Sequence, residues 1–156
     1  IDLAWERKIP VILNPAPAAD LPEELFQKIY LITPNETETE HLTGILPVTE
    51  EDAKQAAYLL VRKGVTGVII TLGSRGAMLV TDDASVLIPS PEVVATDTTA
   101  AGDAFNGALA SSLSRNLSLE EALRFANCAG ALAVTKPGAQ PSLPYFSEIT
   151  ELAHRQ

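Results

Sequence analysis

The sequence has almost no cysteine. Cys128 is the single one among 156 residues, and there is no CxxC pair or Cys/His cluster, so neither a disulfide framework nor a structural zinc site is expected. Cys128 lies in an apolar helical pattern, which favours a small buried packing residue over a reactive thiol. This cysteine usage is typical of a reducing compartment, and we expect the cytoplasm.

Basic residues are also few. The chain has 11 Lys and Arg against 20 Asp and Glu, which gives a formal net charge of −9. Nucleic acids and anionic membranes are bound by clustered Lys and Arg, so neither is expected as a partner. No apolar run approaches the ~20 residues of a membrane-spanning helix. A phosphate ligand remains compatible with this charge, because backbone N–H groups and helix N-termini can bind it.

Two familiar nucleotide-binding motifs are missing. There is no GxxxxGKS or GxxxxGKT, which excludes a P-loop kinase, and no GxGxxG, which removes the main argument for a dinucleotide dehydrogenase. The N-terminus has neither an initiator Met nor the regions of a signal peptide. Residues 1–15 instead resemble the end of a helix that leads into a strand, so we expect a fragment of a longer protein.

Short β-branched runs alternate with helical patterns along the chain, which indicates an α/β fold with a mainly parallel sheet. We expect one α/β domain over residues 1–156, because no repeat or linker is evident. The region 76–94 alternates in short bursts and predicts antiparallel strands at a sheet edge. Further strands are predicted at 11–13, 30–33 and 67–73, and helices at 21–29, 35–43, 49–64, 101–114, 118–135 and 145–155.

Residues 93–113, VVATDTTAAGDAFNGALASSL, carry the strongest chemical signal. They begin as a predicted strand, pass through small residues and become a helix. Gly102 lies where the backbone can approach a ligand closely, and the small residues Ala100 and Ala101 leave the N–H groups of the first helical turn uncovered. Such a turn predicts an anion-binding site.

Two carboxylates flank these small residues. Asp103, in the first turn, is a candidate general base that takes a proton from an attacking hydroxyl while the N–H groups hold a phosphoryl group. The alternative is an acid that only stabilises the helix dipole. Asp97 is a candidate to bind a cation or to brace the loop, and the alternative is an ordinary turn residue.

The motif DTTAAGDAFNGALA resembles the C-terminal signature of the ribokinase-like (PfkB) family of carbohydrate kinases, D-T-x-G/A-A-G-D-x-F. The resemblance implies that Asp103 is the catalytic base and that Ala100, Ala101 and Gly102 form the anion hole. It also implies a three-layer α/β/α sandwich, of which this chain is the nucleotide-binding C-terminal half. The N-terminal sugar-binding part and the lid are absent, and a homodimer is expected only with that lid.

Two further motifs are similar to the same family. TPNETE resembles its N-x-x-E motif, which implies that Asn35 lies near the phosphates and that Glu38 acts on Mg²⁺ through water. The alternative for this segment is a solvated helix start. ITLGSRGAML resembles the nucleotide loop, although a GxxG pattern alone also fits any hairpin turn. The residues that would line ATP there are Thr71, Gly73, Ser74, Arg75 and Gly76.

The segment FANCAGALAVTKPGAQPSLP resembles two more family sites. Asn127 would lie beside the adenine, and the alternative is a solvent-facing helix residue. The following loop resembles a K⁺ site built from oxygen ligands alone. The residues implied are Asp97, Thr99, Ala133, Lys136, Gly138 and Ser142.

The resemblance implies ATP-dependent phosphorylation of a small sugar, with D-ribose converted to D-ribose 5-phosphate. Two alternatives stay open. The chain could be a nucleotide-binding fragment without turnover, because the sugar-binding half is missing. It could also belong to a sibling kinase for another sugar or a nucleoside.

Overall fold

The sheet and helices alternate along the chain as the sequence predicts. The computed structural model describes residues 1–155, in which two short 3₁₀ turns, Gly73–Arg75 and Gln140–Ser142, accompany the regular elements. The strands are β1 Ile12–Leu13, β2 Leu31–Ile32, β3 Gly67–Thr71, β4 Ala77–Thr81 and β5 Ser85–Ile88. The helices are α1 Asp2–Glu6, α2 Glu23–Phe26, α3 Glu36–Thr43, α4 Glu50–Arg62, α5 Ala101–Ser114, α6 Leu119–Ala133 and α7 Phe146–Ala153.

The five strands form one sheet in the order β1-β2-β3-β4-β5. β1 pairs with β2 and β2 with β3 in parallel, whereas β4 runs antiparallel to β3 from Gly67↔Thr81 to Thr71↔Ala77. The predicted α/β class is therefore confirmed, and so is the antiparallel pairing that follows β3. None of the helices in residues 1–155 is long and apolar enough to cross a membrane.

The described chain divides into two compact units. The first consists of residues 1–72 and 77–87, and the second of residues 73–76 and 88–155. In the first unit α4 presents one apolar face to the core, on which Ala53, Ala56, Ala57, Leu60 and Val61 are all buried. They join Val68, Ile70 and Met78 of the strands in one core. Each large side chain buried there contributes about 1.5–3 kcal/mol.

In the second unit small residues allow helices to approach closely. α5 buries Ala104, Phe105, Ala108 and Leu109, and α6 buries mostly alanines. A Cβ placed on Gly130 of α6 would lie 3.5 Å from the carbonyl oxygen of Ala101, which is ordinary contact. The start of α5 thus packs against the C-terminal part of α6.

The helix boundaries follow local capping signals. Thr49 with Asp52 and Ser118 with Glu121 both form complete capping boxes. Gly44, with φ of 78°, ends α3 in the left-handed conformation. Helix α2 spans only Glu23–Phe26, so it is shorter than the predicted 21–29.

The strand predicted at the start of residues 93–113 is wrong. Residues 89–95 have neither helix nor strand, and Val94 is 85% exposed. Pro89 and Pro91 lack the N–H group that a sheet ladder requires. The N–H groups of Thr96 and Asp97 instead donate to the carbonyl of Val134, at 2.7 and 3.1 Å.

Candidate active site

The N-terminus of α5 is open, as the small residues predict. Ala100 is the N-cap, with φ of 62° and ψ of 9°, and no side chain caps the helix. The N–H of Ala101 donates to Thr98 at 3.3 Å, and that of Ala104 to Ala100 at 2.9 Å. Within residues 1–155 the N–H groups of Gly102 and Asp103 have no acceptor. These two donors are oriented to receive an anion.

The neighbourhood of Gly102 leaves room for a ligand. A Cβ placed on Gly102 would meet no atom within 4 Å. Asp103 is exposed, while the next two residues, Ala104 and Phe105, are buried and anchor the helix. Asn106 donates from Nδ2 to the carbonyl of Gly102 at 2.9 Å, on the side away from the open N–H groups. The turn therefore combines free N–H donors with an accessible carboxylate.

Asp97 braces two loops of the second unit. Its Oδ2 accepts from the N–H of Gly138 at 2.8 Å, and its Oδ1 accepts from the N–H of Thr99 at 2.9 Å. These hydrogen bonds lower the pKa of Asp97 to about 2, and the one from Gly138 has a larger effect than those from Thr99. Asp97 is therefore a structural brace, and an ordinary unpartnered turn residue is excluded.

The loop after α6 makes a contact that its residue types do not predict. The carbonyl of Val134 is a double acceptor for the segment before α5, and no feature of the residue type could have revealed this role. Ser142 is fully buried and donates from Oγ to the carbonyl of Ala139 at 2.7 Å. The N–H of Lys136 donates to the carbonyl of Ala133 at 3.3 Å, and its Nζ pairs with Glu148 at 2.9 Å.

The donor chemistry of this loop fits a monovalent cation. The buried hydroxyl of Ser142 retains lone pairs after donating its proton, and Asp97 supplies a carboxylate held in its charged form. The remaining expected ligands are backbone carbonyls, which suit a weakly polarising ion. No cluster of three His, Cys, Asp or Glu side chains suited to a metal occurs in the part of the chain that the structure describes.

In the first unit, Asn35 and Glu38 form a reciprocal capping box at the start of α3. The N–H of Asn35 donates to Oε2 of Glu38, and the N–H of Glu38 donates to Oδ1 of Asn35, both at 2.8 Å. Glu38 is only 6% exposed, whereas Asn35 and Thr37 are exposed, so the helix start is solvated except at Glu38 and Thr39. Its Oε1 has no hydrogen-bond donor within residues 1–155, so this oxygen fits a contact to a metal-bound water.

Thr71 lies beside this capping box. Its N–H donates to the carbonyl of Pro34 at 3.0 Å, and it forms an isolated parallel bridge with Asn35. The structure therefore brings Thr71, Asn35 and Glu38 together at the end of β3. Two of the predicted nucleotide-binding residues are thus neighbours of the residue predicted to act on Mg²⁺.

The predicted nucleotide loop, residues 73–76, connects the antiparallel strands β3 and β4. Gly73 and Gly76 have φ of 57° and 104°, conformations that favour glycine. The N–H of Gly76 closes the turn by donating to the carbonyl of Gly73 at 3.1 Å. Ser74 and Arg75 are exposed between the two glycines. The loop is therefore a tight hairpin turn with Ser74 and Arg75 at the surface.

Asn127 is not the solvent-facing residue of the alternative interpretation. It is only 6% exposed, and Nδ2 donates to the carbonyls of Ile88 and Pro89 at 2.9 and 3.3 Å. These acceptors lie 39 and 38 residues away in the sequence. Such a distant partner could not be identified from the helical pattern around Asn127.

Comparison with known proteins places this geometry in a family. The model of the pfkB family of carbohydrate kinases matches residues 1–145. The chain belongs to that family. Among curated relatives, it is 45% identical over 149 residues to the ribokinase of Haemophilus influenzae, a match that covers 96% of this chain and 49% of the relative. The chain thus spans about half the length of the curated relatives it matches.

Solved structures give the same picture of the fold. The structure of Arabidopsis thaliana ribokinase complexed with ribose and ATP matches at a TM-score of 0.91 and 35% identity, over 97% of this chain and 50% of that chain. Escherichia coli phosphofructokinase-2 in complex with potassium matches at 0.83 and 27% identity, over 99% and 50%. The family therefore includes kinases that are named for different substrates.

Proposed function

We propose that this chain is the nucleotide-binding and catalytic part of an ATP-dependent sugar kinase that converts D-ribose to D-ribose 5-phosphate. The observation that carries the proposal is the open N-terminus of α5. It places two unpartnered N–H groups, those of Gly102 and Asp103, next to an accessible carboxylate. The family membership and the similarity to ribokinases support the choice of reaction and of sugar.

The chemistry assigned to the site is phosphoryl transfer. The sugar O5 forms a bond to the γ-phosphorus while the bond from that phosphorus to the β,γ-bridging oxygen breaks, so ADP leaves. The proton of the hydroxyl passes to the carboxylate of Asp103. The N–H groups of the first α5 turn hold the γ-phosphoryl oxygens, and positioning and electrostatics supply most of the rate.

Two cations are part of the proposal. Glu38 would hold Mg²⁺ through a water, and the cation would neutralise charge on the phosphates. Asp97, Thr99 and Ser142, with the carbonyls of residues 133, 136 and 138, would hold K⁺. The potassium complex of the phosphofructokinase-2 relative supports this cation. The role of Asp97 would be to order the loop before α5 and not to contact the sugar.

The proposal is tested by Asp103→Asn. Ribose-dependent ADP formation is measured in a coupled assay, and ATP binding by calorimetry. The variant is expected to lose turnover by at least about a hundredfold, the lower end of what a general base contributes, while its ATP affinity is unchanged. Asp83→Asn is the matched control, because Asp83 is exposed in the turn between β4 and β5. Equal losses of turnover and ATP affinity would contradict the role of Asp103.

A second candidate function is a nucleotide-binding module without turnover of its own. The observation that favours it is that the chain spans only about half of its relatives' length. ATP binding without ADP formation, in a protein whose intact mass equals that of this chain, would support the module.

A third candidate is a kinase for another sugar, which the similarity to phosphofructokinase-2 favours. Comparing kcat/KM for ribose, 2-deoxyribose and fructose 6-phosphate would separate it from a ribokinase.

A further inference from the structure

Residues 88–90 contact both the nucleotide loop and helix α6 in the second unit. Gly76 packs so closely on them that an added Cβ would lie 2.0 Å from the carbonyl oxygen of Ile88. The same Cβ would lie 2.7 Å from both the Cα of Pro89 and the N of Ser90. From α6, Asn127 donates to the carbonyls of Ile88 and Pro89. The segment therefore connects the nucleotide loop to helix α6.

Nδ2 of Asn127 makes both of these contacts. A side-chain amide has two N–H donors and one acceptor oxygen. Nδ2 lies 2.9 Å from the carbonyl oxygen of Ile88 and 3.3 Å from that of Pro89, and neither hydrogen bond uses Oδ1. Asn127 is 6% exposed, so water cannot readily replace the two hydrogen bonds.

Gly76 transmits the position of the segment to the nucleotide loop. It is buried, it has φ of 104°, and its N–H closes the turn on Gly73. Because its Cα is in direct contact with residues 88–90, a shift of that segment would open space beneath Gly76 or push against it. In an interior packed this closely, even a change in volume of one methylene group affects the neighbouring atoms.

We propose that Asn127 is a positioning residue that fixes residues 88–90 and, through them, the backbone of the nucleotide loop 73–76. The proposal rests on the proposed function in one respect, namely that loop 73–76 contacts ATP. It differs from a contact between Asn127 and the adenine, because the amide acts through main-chain carbonyls of this chain.

The key variant is Asn127→Asp, which keeps the size and one acceptor oxygen but replaces the donor nitrogen by oxygen. Asn127→Ser is its neutral counterpart, with a hydroxyl too short to reach both carbonyls. Cys128→Ala is the matched control, since Cys128 is a buried neighbour on α6 without a hydrogen bond to residues 88–90. Each protein is examined by amide hydrogen exchange and by calorimetric titration with ATP and with purine riboside 5′-triphosphate, which lacks the 6-amino group.

If Asn127 positions the loop, exchange at the N–H of Gly76 rises at least about tenfold in both Asn127 variants, equivalent to about 1.4 kcal/mol. Exchange at Ile70 in β3 stays unchanged and shows that the fold is intact. The affinities for the two nucleotides fall by the same factor, because the loop and not the base is affected. Cys128→Ala changes none of these quantities.

Two results would overturn the proposal. The first is unchanged exchange at Gly76 in the Asn127 variants. The second is a loss confined to ATP in Asn127→Ser with affinity kept in Asn127→Asp, which would indicate a direct contact from Oδ1 to the adenine. Failure of the unmodified chain to bind either nucleotide would instead contradict the proposed function, and the exchange data would still decide whether Asn127 holds the loop.

Discussion

Asp97 Oδ2 accepts a hydrogen bond from the N–H of Gly138 at 2.8 Å and so joins the loop before α5 to the loop after α6. The two residues are 41 positions apart in the sequence. Because the first loop leads directly into the open helix N-terminus, this contact fixes the approach to the candidate anion hole. A cation at Asp97 would strengthen the same connection.

The connection between Asp97 and Gly138 is expected to persist in acid. Its hydrogen bonds lower the pKa of Asp97 from 3.8 to about 2, so the folded state favours the carboxylate. The stabilising contribution is therefore complete above pH 3.8 and is lost as the pH falls through about 2. The protection of the Gly138 amide against hydrogen exchange, measured from pH 5 downwards, checks this expectation.

Asp97→Ala separates this effect from general acid unfolding. The variant removes both acceptor oxygens, so the N–H of Gly138 loses its partner and its protection should already be low at pH 5. The amide of Ile70, at the centre of β3, is the internal reference in both proteins. Equal protection of Gly138 in the variant and the unmodified protein would contradict the bracing role.

Local signals account for the parts of the fold that the sequence predicts well. The capping boxes at Thr49 and Ser118 involve partners three residues away, and the stripe of α4 has a helical period. The carboxylate and small residues of the anion site are likewise adjacent in the chain. Such features depend on neighbouring residues and are therefore readable without a structure.

The wrongly predicted strand and the burial of Asn127 both depend on distant partners. Residues 93–98 are rich in β-branched side chains, but a strand needs a neighbour with free ladder groups, and the N–H groups of Thr96 and Asp97 bond to Val134 instead. The burial of Asn127 depends in the same way on residues 38 and 39 positions away. Tertiary contacts decide these cases and override the local pattern.

Ala100 provides a test of backbone strain at the candidate site. It is a non-glycine residue with φ of 62°, a conformation that costs a side-chain-bearing residue about 1 kcal/mol or more. Ala100→Gly is therefore expected to raise the free energy of unfolding by up to about 1 kcal/mol, since the greater entropy of unfolded glycine offsets part of the gain. Urea denaturation measures the change.

Ala110→Gly is the matched control for Ala100→Gly. Ala110 is exposed in the regular part of the same helix, where glycine costs about 1 kcal/mol. The two variants should therefore shift stability in opposite directions. A loss of stability in both would show that the left-handed backbone at Ala100 is not strained in solution.

Thr39 of α3 is a second site where a substitution should stabilise. Its Oγ1 is buried without a hydrogen-bond partner in residues 1–155, next to Glu38. Thr39→Val removes this polar atom and keeps the shape, and we expect the free energy of unfolding to rise by about 1 kcal/mol.

The comparison variant is Thr43→Val, because Oγ1 of Thr43 donates to the carbonyl of Thr39 at 2.7 Å. It should lose about 1 kcal/mol in the same denaturation experiment. A loss in Thr39→Val as well would indicate a water or ligand bound at Oγ1.

Substitutions at Gly102 and Gly107 distinguish an effect on the stability of the fold from an effect on ligand binding. A Cβ on either residue of α5 would meet no atom within 4 Å, so both substitutions by alanine are compatible with the folded protein. Each should leave the stability equal or raise it by up to about 1 kcal/mol, since glycine is unfavourable within a helix.

Only Gly102→Ala places a methyl group where the phosphate is expected to approach the open N–H groups. It should weaken ATP binding or turnover at least about tenfold, or 1.4 kcal/mol, while Gly107→Ala leaves both unchanged. If Gly102→Ala keeps full affinity and turnover, no phosphate approaches that turn closely, and the proposed anion hole is wrong.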